Sequence, residues 1–399
     1  MSVIGEPIVA GVVPSDDRKE VARALLASGI DAVDLELEPA LEGLPPTATL
    51  TADLGIDFPD GLAPLPQPPA KVPTPGQALP PADVLVVTWT VDEQDALADV
   101  FTPGHGRKTW YRYDRNFSER YASKIRPHAP AQMAKRLGSW LPTKIGAQNV
   151  LCFKSELHLN QDGIRTGDGT ATLPVADLFR QLIAEVKPKV LLTIGTSGGV
   201  FPEHNLGDVV VTRAARFRLN DEFKKEPFAG QTFISSWTIP TSRFDDAQTL
   251  MARYAARLAE PAFAPPTKQF PFATPPIKRQ ASQGPRIWLE GRDLPKDHPI
   301  LTTDYFEFGT SANHLQQHGC AVEMGDAVLG MVVAQMPQPP DWAVVRNLSD
   351  PVINGDLPTG PGPRNMQTHW AVWYYETYGY WTSVTGALAA WAIIAGLGG

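Results

Sequence analysis

The chain has 399 residues, of which 43% are hydrophobic and 20% charged, with a net charge of −8. That supplies a sizeable core and excludes the global positive excess of a non-specific nucleic-acid binder. Its two cysteines, Cys152 and Cys320, exclude a disulfide framework and a cysteine-based metal site, so a reducing, cytoplasmic setting is the expectation.

In chain order, Met1–Val13 has no basic start and no long apolar run, so no secretory signal is expected. Ile8–Val13, Arg18–Ser28 and Ala32–Leu37 read as strand, helix and strand, a small βαβ-like appendage over 1–38. The stretch from Pro39 to Pro81 holds 12 prolines in 43 residues, which sustains neither a helix nor a central strand. It predicts an extended linker over 39–82 that hugs the surface or crosses to a partner. Residues 1–82 hold 12 Asp/Glu against four Lys/Arg, the whole of the charge imbalance.

The core domain is expected over 83–399. Val84–Thr88 predicts a buried strand, Asp92–Val100 a helix, Asn149–Leu157 a strand, and Val175–Glu185 a helix leading into the strand Val190–Ile194. This alternation predicts a mostly parallel sheet with helices on both faces. Two insertions interrupt it, at about 103–150 and about 220–299. The first carries ten cations, among them Arg112 and Arg115, against Asp114 and Glu119, with six interleaved aromatics. Such a mix suits nucleic acid or a nucleotide phosphate, or is a surface segment neutralised by the acidic N-terminal part or a second subunit. The second insertion is Pro-rich, with a helix expected at Asp245–Glu260 on the substrate side. Thr377–Gly399 has no charge and is long enough to span a bilayer. It lacks flanking Lys/Arg and is rich in Gly, Ser and Thr, so a packed helix at Thr382–Ala395 is expected instead.

Three segments carry the chemistry. Leu191–Asp208 runs from an apolar strand into a glycine-rich loop, Gly195-Thr-Ser-Gly-Gly199, where glycines let a backbone approach a ligand closely. The others are Cys320-Ala-Val-Glu323-Met324-Gly325-Asp326 and Val344-Val-Arg346-Asn-Leu-Ser349-Asp350. In that order, the three resemble the nucleoside phosphorylase / nucleosidase superfamily, over about 83–395. The resemblance implies a three-layer α/β fold with a central mixed, partly barrel-closed sheet, and cleavage of the N-glycosidic bond of a nucleoside. It implies no metal or other cofactor, a small-molecule nucleoside as partner, and a homo-oligomer, dimer or trimer. Neither nucleic acid nor a membrane is an expected partner.

Asp350 falls on the Ser-Asp position that supplies the general acid to the departing base, with Ser349 orienting it. Thr193-Ile-Gly-Thr196 stands where phosphorolytic members carry a phosphate-binding Arg, and that Arg is missing. Thr88-Trp-Thr-Val-Asp-Glu93 instead resembles the acidic turn of 5′-methylthioadenosine/S-adenosylhomocysteine nucleosidases, in which a Glu positions water; Glu93 falls on it. Thr303-Asp-Tyr-Phe306 puts Phe306 where the resemblance expects a ring stacked on a purine, and Thr196, Ser197 and Gly198 beside base and ribose. The pattern Glu-Met-Glu at the ribose is broken: Glu323 and Met324 stand, Gly325 replaces the second Glu, and Asp326 is the neighbouring carboxylate that could take over. The expected reaction is purine nucleoside hydrolysis. The alternatives are a phosphate-dependent phosphorylase or nucleotide nucleosidase using cations from 103–150, and a non-catalytic nucleoside-sensing module.

Overall fold

The structure, a computed structural model, describes residues 54–260, 263, 272–278, 284–292, 298–360 and 365–398. The expected appendage over 1–38 lies outside the described residues. Strands that are buried along almost their whole length organise the rest. In β2 (Val84–Thr88), Val84 and Val86 face one core while Leu85 and Val87 face another. Period-two geometry makes such an all-apolar run a strand buried on both faces. The same division holds in β6 (Val190–Gly199), with Leu192 and Ile194 on one side and Leu191 on the other. It recurs in β13 (Asp341–Asp350), with Ala343 and Val345 opposite Trp342, Val344 and Leu348.

One face is covered by α1 (Val91–Phe101), α5 (Phe244–Ala252) and α7 (Met366–Gly396), and the other by α4 (Pro174–Val186) and α6 (Asp326–Ala334). Two short helices, α2 (Pro130–Ala134) and α3 (Leu159–Asp162), complete the helical set among the described residues. Strand β5 (Gln148–Ser155) lies parallel to β2, and β2 and β13 both lie parallel to β6, in the order β5–β2–β6–β13. Four carboxyl ends therefore meet along one edge, the place where open α/β sheets bind ligands. The antiparallel neighbour β4 (Gly138–Ile145) carries β1 (Leu65–Pro66) and β3 (Tyr111–Tyr113). Beyond β6, its glycine end pairs with β12 (Ala321–Glu323), followed by β11 (Ile300–Thr303), β8 (Ala214–Arg218) and β9 (Thr232–Ile234). β7 (Val209–Thr212) joins β13 to β10 (Ile287–Leu289).

Two expectations need correction. The sheet is mixed, as expected, but it is not a closed barrel: its ladders run as an open, branched path ending at β1 and β9. The turn back from β8 to β7 is made by chain continuity through Arg213, not by a hydrogen-bonded ladder. The glycine-rich segment is no loop, because β6 continues through Gly199 and pairs there with β12 and β13. Several cations of 103–150 find partners outside their own segment. Arg107 pairs with Asp95, Arg115 with Glu185, Lys124 with Asp177, and Arg136 with Glu156, all carboxylates of the core.

The proline-rich stretch from Leu54 onward is extended over the surface, and Leu54, Ile56, Phe58 and Leu62 pack against the α7 side. The helix expected at Thr382–Ala395 starts earlier, at Met366, and most of it is buried. Among the described residues no helix is long and apolar enough to cross a membrane. Trp391 is fully buried, donates from Nε1 to the Leu62 carbonyl at 2.8 Å, and stands 5.0 Å from the Phe58 ring. Trp391→Ala would leave a cavity at this seam and should cost about 3–5 kcal/mol in denaturant unfolding.

Candidate active site

The four carboxyl ends open into a cleft of about 600 Å³ including its mouth, lined from β2 by Trp89, Thr90 and Glu93 and from β6 by Thr196, Ser197 and Gly198. Ser349 and Asp350 enter from β13, Val322 to Gly325 from β12, and Phe306 and Glu307 from the segment after β11. Of the ten residues singled out in the sequence, nine meet here: Glu93, Thr196, Ser197, Gly198, Phe306, Glu323, Met324, Ser349 and Asp350. Asp326 does not reach the cleft.

Glu93 is placed by its own helix. Thr90 caps α1, accepting from the Glu93 N–H at 3.4 Å, and Glu93 Oε2 accepts the Thr90 N–H at 2.9 Å, a complete capping box. Oε2 also takes the Thr88 hydroxyl and the Trp89 N–H at 2.9 Å, while Oε1 takes the Thr196 N–H at 2.8 Å and its hydroxyl at 2.9 Å. Burial opposes the charge, but the Arg346 guanidinium and the backbone N–H groups outweigh it and hold this carboxyl below its ordinary value. Glu93 is therefore an ionised knot between β2, α1 and β6.

Arg346, 4% exposed, lines the cleft and was not singled out from the sequence. It binds Asp326 through Nε at 2.7 Å and Nη2 at 2.6 Å, and Nη2 lies 3.3 Å from Glu323 Oε2. Its guanidinium sits 4.9 Å from the Trp89 ring centre. Both Asp326 oxygens are thus engaged beneath the cleft floor, so this residue cannot hold a sugar, contrary to expectation. Glu323 is also internal: it accepts from Thr302 and from the N–H groups of Gly325 (2.5 Å) and Asp326 (3.1 Å), closing the N-terminus of α6. Burial first, and the Asp326 charge second, push its carboxyl upward. A Cβ at Gly325 would meet Trp89 Cζ2 at 3.4 Å, so the indole stands beside the place of the missing carboxylate.

Glycine is required where these groups converge. A Cβ on Gly195 would come within 2.5 Å of Arg346 Nη1 and 2.6 Å of Glu93 Oε1, so the two charges face one another across a bare backbone. A Cβ on Gly198 would stand 2.9 Å from Asp350 Oδ2.

Asp350 reaches the cleft through a register shift in β13. Leu348 pairs with Ser197 and Asp350 with Gly198, leaving Ser349 as the extra residue of a bulge that re-aims the chain. The Ser349 hydroxyl is 3.0 Å from Asp350 Oδ1 and 3.4 Å from the Ser197 carbonyl. Burial pushes the Asp350 carboxyl up to about 7, against the smaller downward pull of Ser349. Phe306 is half-buried, 5.4 Å from the Phe308 ring. Asp304 fixes that segment by accepting the N–H groups of Asn220 (2.9 Å) and Phe223 (2.8 Å). Glu307 is held by Arg218 at 2.8 Å and the Tyr305 hydroxyl at 2.6 Å. Among the described residues, no cation of 103–150 lines the cleft and no His/Cys/Asp/Glu group is arranged to hold a metal.

No family model matches the chain, and no curated protein does. Solved structures similar to it include the 5′-methylthioadenosine/S-adenosylhomocysteine nucleosidase of Neisseria meningitidis in complex with methylthio-immucillin-A, at 14% identity and a TM-score of 0.41 over 78% of this chain and 99% of that one. The corresponding nucleosidase of S. pneumoniae is 15% identical, with a TM-score of 0.41 over 79% and 99%. Futalosine hydrolase of Helicobacter pylori is 9% identical, with a TM-score of 0.40 over 78% and 96%. At this distance the likeness carries no substrate or role across.

Two stability outcomes follow from the buried charges. Asp326→Asn leaves the Arg346 charge buried with half its partner, and should cost about 3–5 kcal/mol in denaturant unfolding. Asp350 has a folded value of about 7, above the ordinary 3.8, so its contribution is full at low pH and is lost as pH rises through 7. Asp350→Asn, which cannot ionise, should gain stability relative to the parent as pH rises from about 4 to 7, read as a difference in Tm that grows over that window and levels off above it.

Proposed function

We propose that this chain hydrolyses the N-glycosidic bond of a purine nucleoside. The observation that carries the reading is the pairing, in one cleft, of a buried carboxyl that keeps its proton near neutrality with an ionised carboxylate on the other side of β6. Asp350 lies on β13 and Glu93 on the β2 side, with the glycine backbone of β6 between them. Titratable groups with divided environments serve as acid and base.

In this reading the base lies against Phe306, whose stacking contributes about 1–3 kcal/mol. Asp350 gives its proton to a ring nitrogen of the purine as the C1′–N bond breaks and its electron pair leaves with the base. Water forms the new C1′–O bond and loses a proton to Glu93 Oε1, which accepts it once the Thr196 hydroxyl turns away. Arg346 Nη1, on the other side of Gly195, stabilises Glu93 as the carboxylate and orients the water. Ser349 holds Asp350, while Thr196, Ser197 and Gly198 form the floor beneath base and sugar. Met324 packs against the sugar, and Glu323 acts from beneath by holding α6. The core over 83–399 would act as one catalytic domain, in the cytoplasm, and as a dimer or trimer.

Phosphate is the weaker nucleophile here. The one arginine of the cleft is already bound to Asp326 and Glu323, and Glu93 beside it is ionised. An incoming dianion would meet carboxylates and no unpaired cation.

Free-base release from adenosine and inosine, followed by chromatography without phosphate, tests the proposal. Cleavage should fall by about 10²–10⁴ in Asp350→Asn, the range of a lost general acid. In the parent, kcat/KM should decline as pH rises through about 7, because the acid must be protonated. Release that needs phosphate, or that survives in Asp350→Asn, would overturn the assignment.

A further inference from the structure

The walls of the cleft are nearly saturated with internal hydrogen bonds. Both oxygens of Glu93 and Glu307 are engaged, and so are those of Glu323. The Trp89 indole donates to the Leu157 carbonyl at 3.1 Å. The exception outside Asp350 is His158, which lines the cleft, is 8% exposed, and has an Nε2 with no hydrogen-bond partner.

Its backbone is fixed from two directions. The His158 N–H donates to Asp162 Oδ2 at 2.6 Å, and the preceding carbonyl, that of Leu157, receives the Trp89 indole. A tightly held residue whose buried ring nitrogen lacks a partner carries the cost of an unmade hydrogen bond unless a ligand supplies one. Burial first, and the Lys154 charge second, push this imidazole down to about 3 against the pull of Glu93. It is therefore neutral at physiological pH: a hydrogen-bond partner and not a proton donor.

The sheet order decides what it meets. His158 follows β5, and Asp350 ends β13; in the order β5–β2–β6–β13 they stand at opposite ends of the cleft. On the reading above, on which this inference rests, the base lies at the Asp350 end and the sugar extends over β6 and β2. We infer that His158 hydrogen-bonds a hydroxyl on the part of the sugar turned away from the base, and so selects nucleosides that carry it. Gly325 brings no side chain there, and Asp326 is tied to Arg346.

The test is a ligand-by-variant cycle. Adenosine and its 2′-, 3′- and 5′-deoxy forms are titrated by calorimetry into Asp350→Asn and into Asp350→Asn/His158→Phe, and their cleavage is followed in the parent and His158→Phe. His158→Phe should weaken adenosine by about tenfold, a typical single hydrogen bond. One deoxy form should already bind about tenfold more weakly and lose nothing further in the variant, and His158→Gln should recover part of the loss. An equal loss for all four ligands, no loss for any, or no binding by any would overturn the inference. The two readings separate cleanly. The expected pattern without cleavage in the parent would keep the sugar contact and remove the hydrolysis. Cleavage that depends on Asp350 but shows a flat pattern for His158 would do the reverse.

Discussion

Everything in the cleft depends on one buried cation. Arg346 projects from β13 into a site where burial would strongly disfavour its charge, and Asp326 and Glu323 make that charge tolerable. The same two carboxylates set the start of α6, while Arg346 in turn helps to keep Glu93 ionised at the start of α1. Strands β13, β12 and β6 and two helix N-termini are thereby locked to one point. A buried ion set contributes specificity more surely than stability, because desolvation offsets much of its attraction. What it fixes here is position.

Around that point the site divides into two electrostatic halves. On the β2 side, backbone N–H groups and a guanidinium favour a negative carboxylate. On the β13 side, Asp350 has one hydroxyl neighbour and no cation, so burial prevails and its proton is retained. The bulge at Ser349 decides which way this group points, and the glycines of β6 leave room between the halves. Chemistry at the cleft therefore rests as much on absent Cβ atoms as on the side chains present.

Much of this was legible in the chain. The strand at Val84–Thr88, the helix that follows it and the strand that leads into the glycine segment are local signals, and local physics places them as expected. Six of the ten chosen residues converge because strand ends in parallel order share an edge, and Phe306, Glu323 and Met324 join them through β11 and β12, of which β12 runs antiparallel to β6. Asp326 was misread because adjacency in sequence does not reveal which face of a helix start a carboxylate takes, or that an arginine 20 residues later would claim it. The path of residues 54–62 over the α7 side was foreseeable as extended chain, though not its anchor at Trp391.

His158 marks the limit most clearly. Nothing around it in the sequence separates it from a histidine satisfied in the core. The sequence by itself determined the alternation of strands and helices, the extended proline-rich stretch, and the acid and glycine motifs, since these follow from residue period and backbone preference. Tertiary structure alone decided that the sheet stays open, that Arg107, Arg115, Lys124 and Arg136 pair with core carboxylates, and that Arg346 and His158 line the cleft. Those outcomes turn on burial and on partners distant in sequence, and the charge state or free valence of a side chain exists only once its surroundings are assembled.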